Sequence, residues 1–140
     1  MYTSEVQIRV RYAETDQMGY VYYGNYAAYF EVARVEALRS LGFSYKKLEK
    51  DGVMLPVLDF YVKYFKPAYY DDLLTIKTTI REMPQARIRF EYDTYNEKDE
   101  LLNSANTTLV FINRTTNRPC AAPEEFRKSI GRFFSSGSGK

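Results

Sequence analysis

The hydrophobic period of this chain changes from helical to alternating, and that switch limits the folds open to it. Between Asn25 and Leu41 the residues Tyr26, Tyr29, Phe30, Ala33, Ala37 and Leu41 fall on one helical face. Gly42 supplies the stop. Ser44 to Lys50 reads as a short second helix ending near Gly52. From Val53 onward the period is two. Phe60, Val62 and Tyr64 alternate with Asp59, Tyr61 and Lys63, up to Pro67. Leu74, Ile76, Thr78 and Ile80 form a second alternating run. After Pro84-Gln85 a third contains Ile88, Phe90, Tyr92 and Thr94. The polar turn Asn96 to Glu100 leads to a last long strand from about Leu101 to Asn113. Val6, Ile8, Val10 and Tyr12 give a strand before the helix, and Pro123 opens a C-terminal helix through about Phe134. Strand, long helix, then four antiparallel strands make an α+β arrangement of one sheet and one central helix.

Ala27, Val32, Val35 and Leu38 leave that helix apolar nearly all round, with Glu31–Arg34 and Glu36–Arg39 pairs on the remaining polar side. One sheet cannot cover such a helix. A second copy of the chain is the simplest cover, which predicts a dimer. The 140 residues, 45% hydrophobic and 27% charged, suit one globular domain over residues 1–134, with 135–140 as a flexible tail.

Composition excludes much chemistry. With no histidine, every Ser-His-Asp, Cys-His and His-metal mechanism is excluded. The single Cys120 rules out an internal disulfide and cysteine-cluster metal sites. A net charge of +2, with Lys and Arg scattered among acids, argues against a nucleic-acid surface. No apolar run reaches membrane-spanning length and Met1 leads straight into a strand-like pattern, so cytoplasmic residence is expected. The 14 tyrosines serve first as packing residues.

The remaining chemistry concentrates between Tyr12 and Arg34. Asp16 sits in a polar loop that passes through Gly19 and Gly24 into the helix. A helix N-terminus carries unpaired N–H groups and the positive end of a dipole, so it favours developing negative charge. A carboxylate beside such an end suits hydrolysis of a carbonyl compound. The acid attacks or activates water, and the N–H groups receive the oxyanion.

The run Asp16-Gln17-Met18-Gly19-Tyr20-Val21-Tyr22-Tyr23-Gly24-Asn25-Tyr26, followed by Pro67-Ala68-Tyr69-Tyr70-Asp71-Asp72-Leu73-Leu74-Thr75-Ile76, resembles the hotdog-fold acyl-CoA thioesterases of the 4-hydroxybenzoyl-CoA thioesterase type. The order of elements agrees from about Ser4 to Phe134. The resemblance implies a five-stranded antiparallel sheet wrapped around the Asn25–Leu41 helix and continued across a homodimer, with dimers pairing into a tetramer. It implies active sites at the dimer interface, with the pantetheine arm between subunits. Asp16 matches the family's catalytic carboxylate, and Tyr23 the helix-start position whose N–H polarises the thioester carbonyl. Many relatives carry His where this chain has Tyr23, a change that leaves a backbone role intact.

Around these, Gly19, Tyr22, Gly24 and Asn25 are the candidate substrate-binding residues. The glycines are expected to serve backbone conformation and close approach, and Asn25 to cap the helix. Asp16 as a mere loop cap is the competing reading, and Glu14 is expected to be solvated. Tyr22, Tyr26 and Tyr29 are read as packing residues before acyl-pocket residues. Coenzyme A phosphates need basic neighbours. Lys63, Arg81, Arg87, Arg89, Arg114 and Arg118 are candidates, with Arg87 first because relatives place basic residues near that hairpin. No metal or redox cofactor is implied. An acyl-carrier-protein thioester is an alternative substrate, and a non-catalytic acyl-thioester binding protein an alternative function. A dehydratase is disfavoured because such enzymes work with a His.

Overall fold

Residues 1–134 are described by a computed structural model. The order of elements is β1 (Tyr2–Arg9), α1 (Asn25–Ser40), α2 (Tyr45–Lys50), β2 (Val53–Met54), β3 (Val57–Tyr64), β4 (Leu73–Ile80), β5 (Arg87–Tyr95), β6 (Leu101–Val110), β7 (Ile112–Asn113), β8 (Arg118–Pro119) and α3 (Glu124–Gly131). β1, β4, β5, β6 and β3 form one antiparallel sheet in that spatial order. The expected α+β architecture with a five-stranded sheet is borne out. The expected 135–140 tail lies outside the described residues.

Alternation along β4, β5 and β6 directs Leu74, Ile76, Ile88, Phe90, Tyr92, Ala105 and Leu109 to one face, where all are buried. Helix α1 lies on that face. Its Phe30 ring stacks on Tyr92 at 4.6 Å between centroids, and Ala33 and Ala37 allow close approach. Gly42 ends the helix at φ +89°, with its N–H on the Arg39 carbonyl and the Phe43 N–H on Leu38. That is the two-bond C-terminal motif glycine favours.

Several local expectations are corrected. β1 ends at Arg9, and Tyr12 is exposed in a 3-10 turn over Tyr12–Glu14. The last strand does not run unbroken to Asn113. Phe111 turns into the core, its N–H bonded to the Ala86 carbonyl and its own carbonyl taking the Cys120 N–H. Beyond it, β7 joins β2 and β8 in a small second sheet. Arg34 does not pair with Glu31. It is buried and donates to the Tyr45 and Tyr92 hydroxyls. Glu36 and Arg39 do pair, at 3.6 Å.

β3 differs most from its sequence pattern. Its alternation of Phe60, Val62 and Tyr64 with Asp59, Tyr61 and Lys63 does not translate into a buried face: Phe60 and Tyr64 are exposed, as are Val57, Leu58 and Tyr61. β3 is one edge of the sheet and, among the described residues, bonds only β6. Val32, Ala27 and Ala28 on α1 are exposed too. No helix among the described residues is long and apolar enough to cross a membrane.

Phe30 has no exposed surface and joins α1 to the sheet. Phe30→Ala is expected to lower unfolding free energy by about 3–5 kcal/mol, read from chemical denaturation.

Candidate active site

The loop between β1 and α1 is built around Glu14. Its carbonyl accepts the Tyr22 N–H at 2.9 Å and the Asn25 side-chain amide at 2.8 Å. Its carboxylate accepts the Arg11 N–H at 2.8 Å, the Tyr29 hydroxyl at 2.8 Å and the Arg11 guanidinium at 3.0 Å. Burial pushes this carboxyl up, but the bonds from Arg11 and Tyr29 outweigh it and hold the group below the usual carboxylate range. The solvated Glu14 expected from sequence is therefore corrected. A carboxylate with these donors is a structural anchor, and its contact with Tyr29 arises only when α1 folds back over the loop.

Asn25 is corrected as well. It is the first residue of α1, and its side chain ties the helix to Glu14 instead of capping it. Gly24 stands before the helix with helical backbone angles and no side-chain cap. The Asn25 and Tyr26 N–H groups turn back onto the Tyr22 and Tyr23 carbonyls. Among the described residues, no acceptor is found for the N–H of Tyr23 or of Gly24. Those two donors are available to a ligand.

Asp16 is half-buried. Its Oδ1 accepts the N–H of Met18 at 2.9 Å and of Tyr20 at 3.3 Å, so it does organise its own loop. Its Oδ2 has no donor among the described residues, which leaves one oxygen for chemistry. Gly19 takes φ +83°, a conformation that favours glycine there. Gly24 has an ordinary negative φ of −63°, which corrects the expectation of a special backbone at that position. What glycine provides there is space, since a Cβ would lie 2.7 Å from the Tyr22 ring.

Asp16, Gly19, Tyr22 and Asn25 line one open hollow of about 950 Å³. Tyr23 lines a neighbouring cleft of about 250 Å³ with Tyr20, Val21, Tyr26, Tyr64 and Phe65. The cleft is largely aromatic and apolar. Tyr26 and Tyr29 are core residues first, as expected from sequence, while Tyr22 and Tyr23 are exposed. Burial raises the Tyr26 hydroxyl to about 12, so it remains a hydrogen-bond donor.

Arg87 is not brought to this site within the chain. Strand registers place it beside Val110, near the Val57 end of β3, whereas the Asp16 loop adjoins Tyr69 and Tyr70 before β4. Of the other basic candidates, Arg81 is already held by Glu91 at 3.1 Å. Sequence reasoning missed Glu14 as an anchor and Tyr64–Phe65 as cleft walls. Only Tyr29, on the same helical face as Tyr26, pointed toward the first of these.

A model of the thioesterase-like superfamily matches residues 10–130. The chain belongs to that superfamily. It is 36% identical over 130 residues to YneP of Bacillus subtilis (strain 168), which covers 93% of this chain and 91% of that protein. It is also 36% identical over 117 residues to the acyl-CoA thioester hydrolase YbgC of Escherichia coli O6:H1, covering 84% of this chain and 87% of that protein. The fold superposes on the DHNA-CoA thioesterase of Staphylococcus aureus with a TM-score of 0.91 and 36% identity, over 98% of this chain and 94% of that one. The hotdog fold and thioesterase class indicated by Asp16–Tyr26 and Pro67–Ile76 are thus borne out.

The folded carboxyl of Glu14 titrates below its unfolded value, so its stabilisation is present above the unfolded value of about 4.3. It is lost as pH falls through the folded value. Glu14→Gln is therefore expected to lower the thermal midpoint at neutral pH and to narrow the gap to the intact chain in acid. A gap independent of pH would show that the Glu14 charge is not what anchors the loop.

Proposed function

We propose that this superfamily member hydrolyses acyl-CoA thioesters to a carboxylic acid and free coenzyme A, with Asp16 as general base or nucleophile. The observation that carries the reading is the loop–helix junction. It holds a carboxylate with one unengaged oxygen in the same loop as two N–H groups that have no acceptor among the described residues, those of Tyr23 and Gly24. The names of YbgC and of the Staphylococcus aureus enzyme support acyl-CoA as the substrate class.

Water adds to the thioester carbon as Asp16 takes its proton, and the carbonyl oxygen becomes an oxyanion on the Tyr23 or Gly24 N–H. Collapse expels the coenzyme A thiolate, which leaves as the thiol once protonated. In the nucleophilic version, Asp16 displaces the thiolate to give an anhydride that water then cleaves. A preorganised donor aimed at the oxyanion lowers the barrier by about 3–4 kcal/mol. The cleft beside Tyr23 would take the start of the acyl group.

The site is completed by a second copy in this reading. β3 is an unpaired edge with exposed Val57, Leu58, Phe60 and Tyr61, beside the exposed Val32 of α1. Antiparallel pairing of β3 with its copy would bury these residues and continue the sheet. It would set the Val57 end of one chain, with Arg87 beyond it, against the Tyr64 end of the other. Arg87 would then reach the nucleotide phosphates of a coenzyme A bound at the other copy's Asp16.

Free-thiol release from short, long and aromatic acyl-CoAs tests the chemistry. Asp16→Asn is expected to lower kcat by about 10²- to 10⁴-fold while the far-ultraviolet spectrum stays that of a folded chain. Equal release by both proteins would remove Asp16 from the mechanism. Sedimentation tests the assembly. The intact chain should run at twice its mass or a multiple of that, and Phe60→Lys should shift it toward monomer.

A further inference from the structure

Arg34 is 7% exposed, yet no carboxylate among the described residues pairs with this cation. Its Nε donates to the Tyr45 hydroxyl at 3.2 Å and an Nη1 to the Tyr92 hydroxyl at 3.2 Å, which is paired in turn with the Thr107 hydroxyl. A guanidinium has five N–H donors, so three remain without a protein acceptor. Among the described residues no Asp or Glu forms an ion pair with it. Buried charges are ordinarily paired. Burial alone would favour losing the proton, but the tyrosine oxygens reverse that tendency and the cation persists.

Arg34 faces a hollow of about 400 Å³ whose other walls include Tyr45, Leu48 and Pro56. Glu31 and Glu49 also line it, but both are exposed, so water screens their charge more than that of Arg34. The hollow's place in the fold suggests its use. α1 runs antiparallel to β3, with Tyr26 against Tyr64 at 5.5 Å and Phe30 against Phe60 at 5.9 Å. One turn further along the helix, Arg34 reaches Pro56 and Val57. β3–β3 pairing would lay this end beside the Tyr64 end of a second copy, where that copy's Tyr23 cleft opens. An acyl group leaving the thioester in one copy would then run toward Arg34 of the other.

We propose that Arg34 determines specificity by binding a carboxylate at the far end of the acyl group, so that the preferred substrates are coenzyme A monothioesters of dicarboxylic acids. The inference rests on the acyl-CoA thioesterase reading and its dimer. The remaining N–H groups of Arg34, on Nη1 and Nη2, can donate charge-assisted hydrogen bonds to carboxylate oxygens. Tyr45 and Tyr92 hold the guanidinium in place, so little ordering is left to the ligand.

The test compares thiol release from succinyl-, adipoyl- and suberoyl-CoA with release from butyryl-, hexanoyl- and octanoyl-CoA. The intact chain is expected to favour a dicarboxylic member over the apolar acyl group of equal length. In Arg34→Met the ratio of the two kcat/KM values should fall about 10- to 100-fold, the size of a lost hydrogen bond to a charged group. Arg34→Lys should restore part of it. Since Arg34 also joins α1 to α2 and β5, a readout without turnover is included. Free adipate should raise the melting temperature of the intact chain more than hexanoate does, and Arg34→Met should erase that difference. Equal use of the two acyl series, with release still dependent on Asp16, would overturn the proposal and leave the thioesterase reading intact. Release from no substrate would overturn that reading, and equal thermal shifts by the two acids would then dispose of the Arg34 site as well.

Discussion

Glu14 ties the segment that follows the first strand, the loop and the central helix into one junction. Its carbonyl fixes Tyr22 and Asn25, and its carboxylate draws together Arg11 and Tyr29. Because Tyr29 belongs to the core face of α1, the loop inherits its position from the helix–sheet packing. Bonds to a charged group are stronger than neutral ones, which suits Glu14 to this work better than a glutamine would be. Everything proposed for Asp16 depends on this arrangement. A base or nucleophile is useful only if its distance from the oxyanion donors is set before substrate arrives.

The central helix starts without a side-chain cap. Most helices begin with a Ser, Thr, Asp or Asn whose side chain occupies the first N–H groups. Here Gly24 has no side chain to offer, and Asn25 spends its amide on Glu14. The Tyr23 and Gly24 N–H groups stand just before the helix and find no acceptor among the described residues, and Tyr23 borders the aromatic cleft. The edge strand shows a similar incompleteness on a larger scale. β3 presents aromatic side chains on both faces and an unpaired backbone edge, an arrangement that soluble monomers avoid.

The fold was legible because period is a strong signal. Seventeen helical positions followed by alternating runs left little choice beyond one helix on one sheet, and the motif from Asp16 to Tyr26 identified the fold family. Pattern failed where a side chain's partner lies far along the chain. Arg34 was assigned to its near neighbour Glu31, although its spacing from Tyr26 and Phe30 already placed it on the buried face. Glu14 was read as solvated because Tyr29 meets it only after folding. Phe111 broke a strand whose alternation ran straight through it, because its backbone found partners in Ala86 and Cys120. In the candidate site, the loop and helix start could be located from sequence. Which N–H groups stay unpaired could not, since that depends on backbone angles at Gly24.

The most direct measurement is a crystal structure of Asp16→Asn holding an uncleaved acyl-CoA. The thioester carbonyl oxygen should lie within hydrogen-bond distance of the Tyr23 or Gly24 N–H, with the carbonyl carbon facing the substituted side chain at position 16. A thioester bound away from both would contradict the assignment of this junction as the reaction centre.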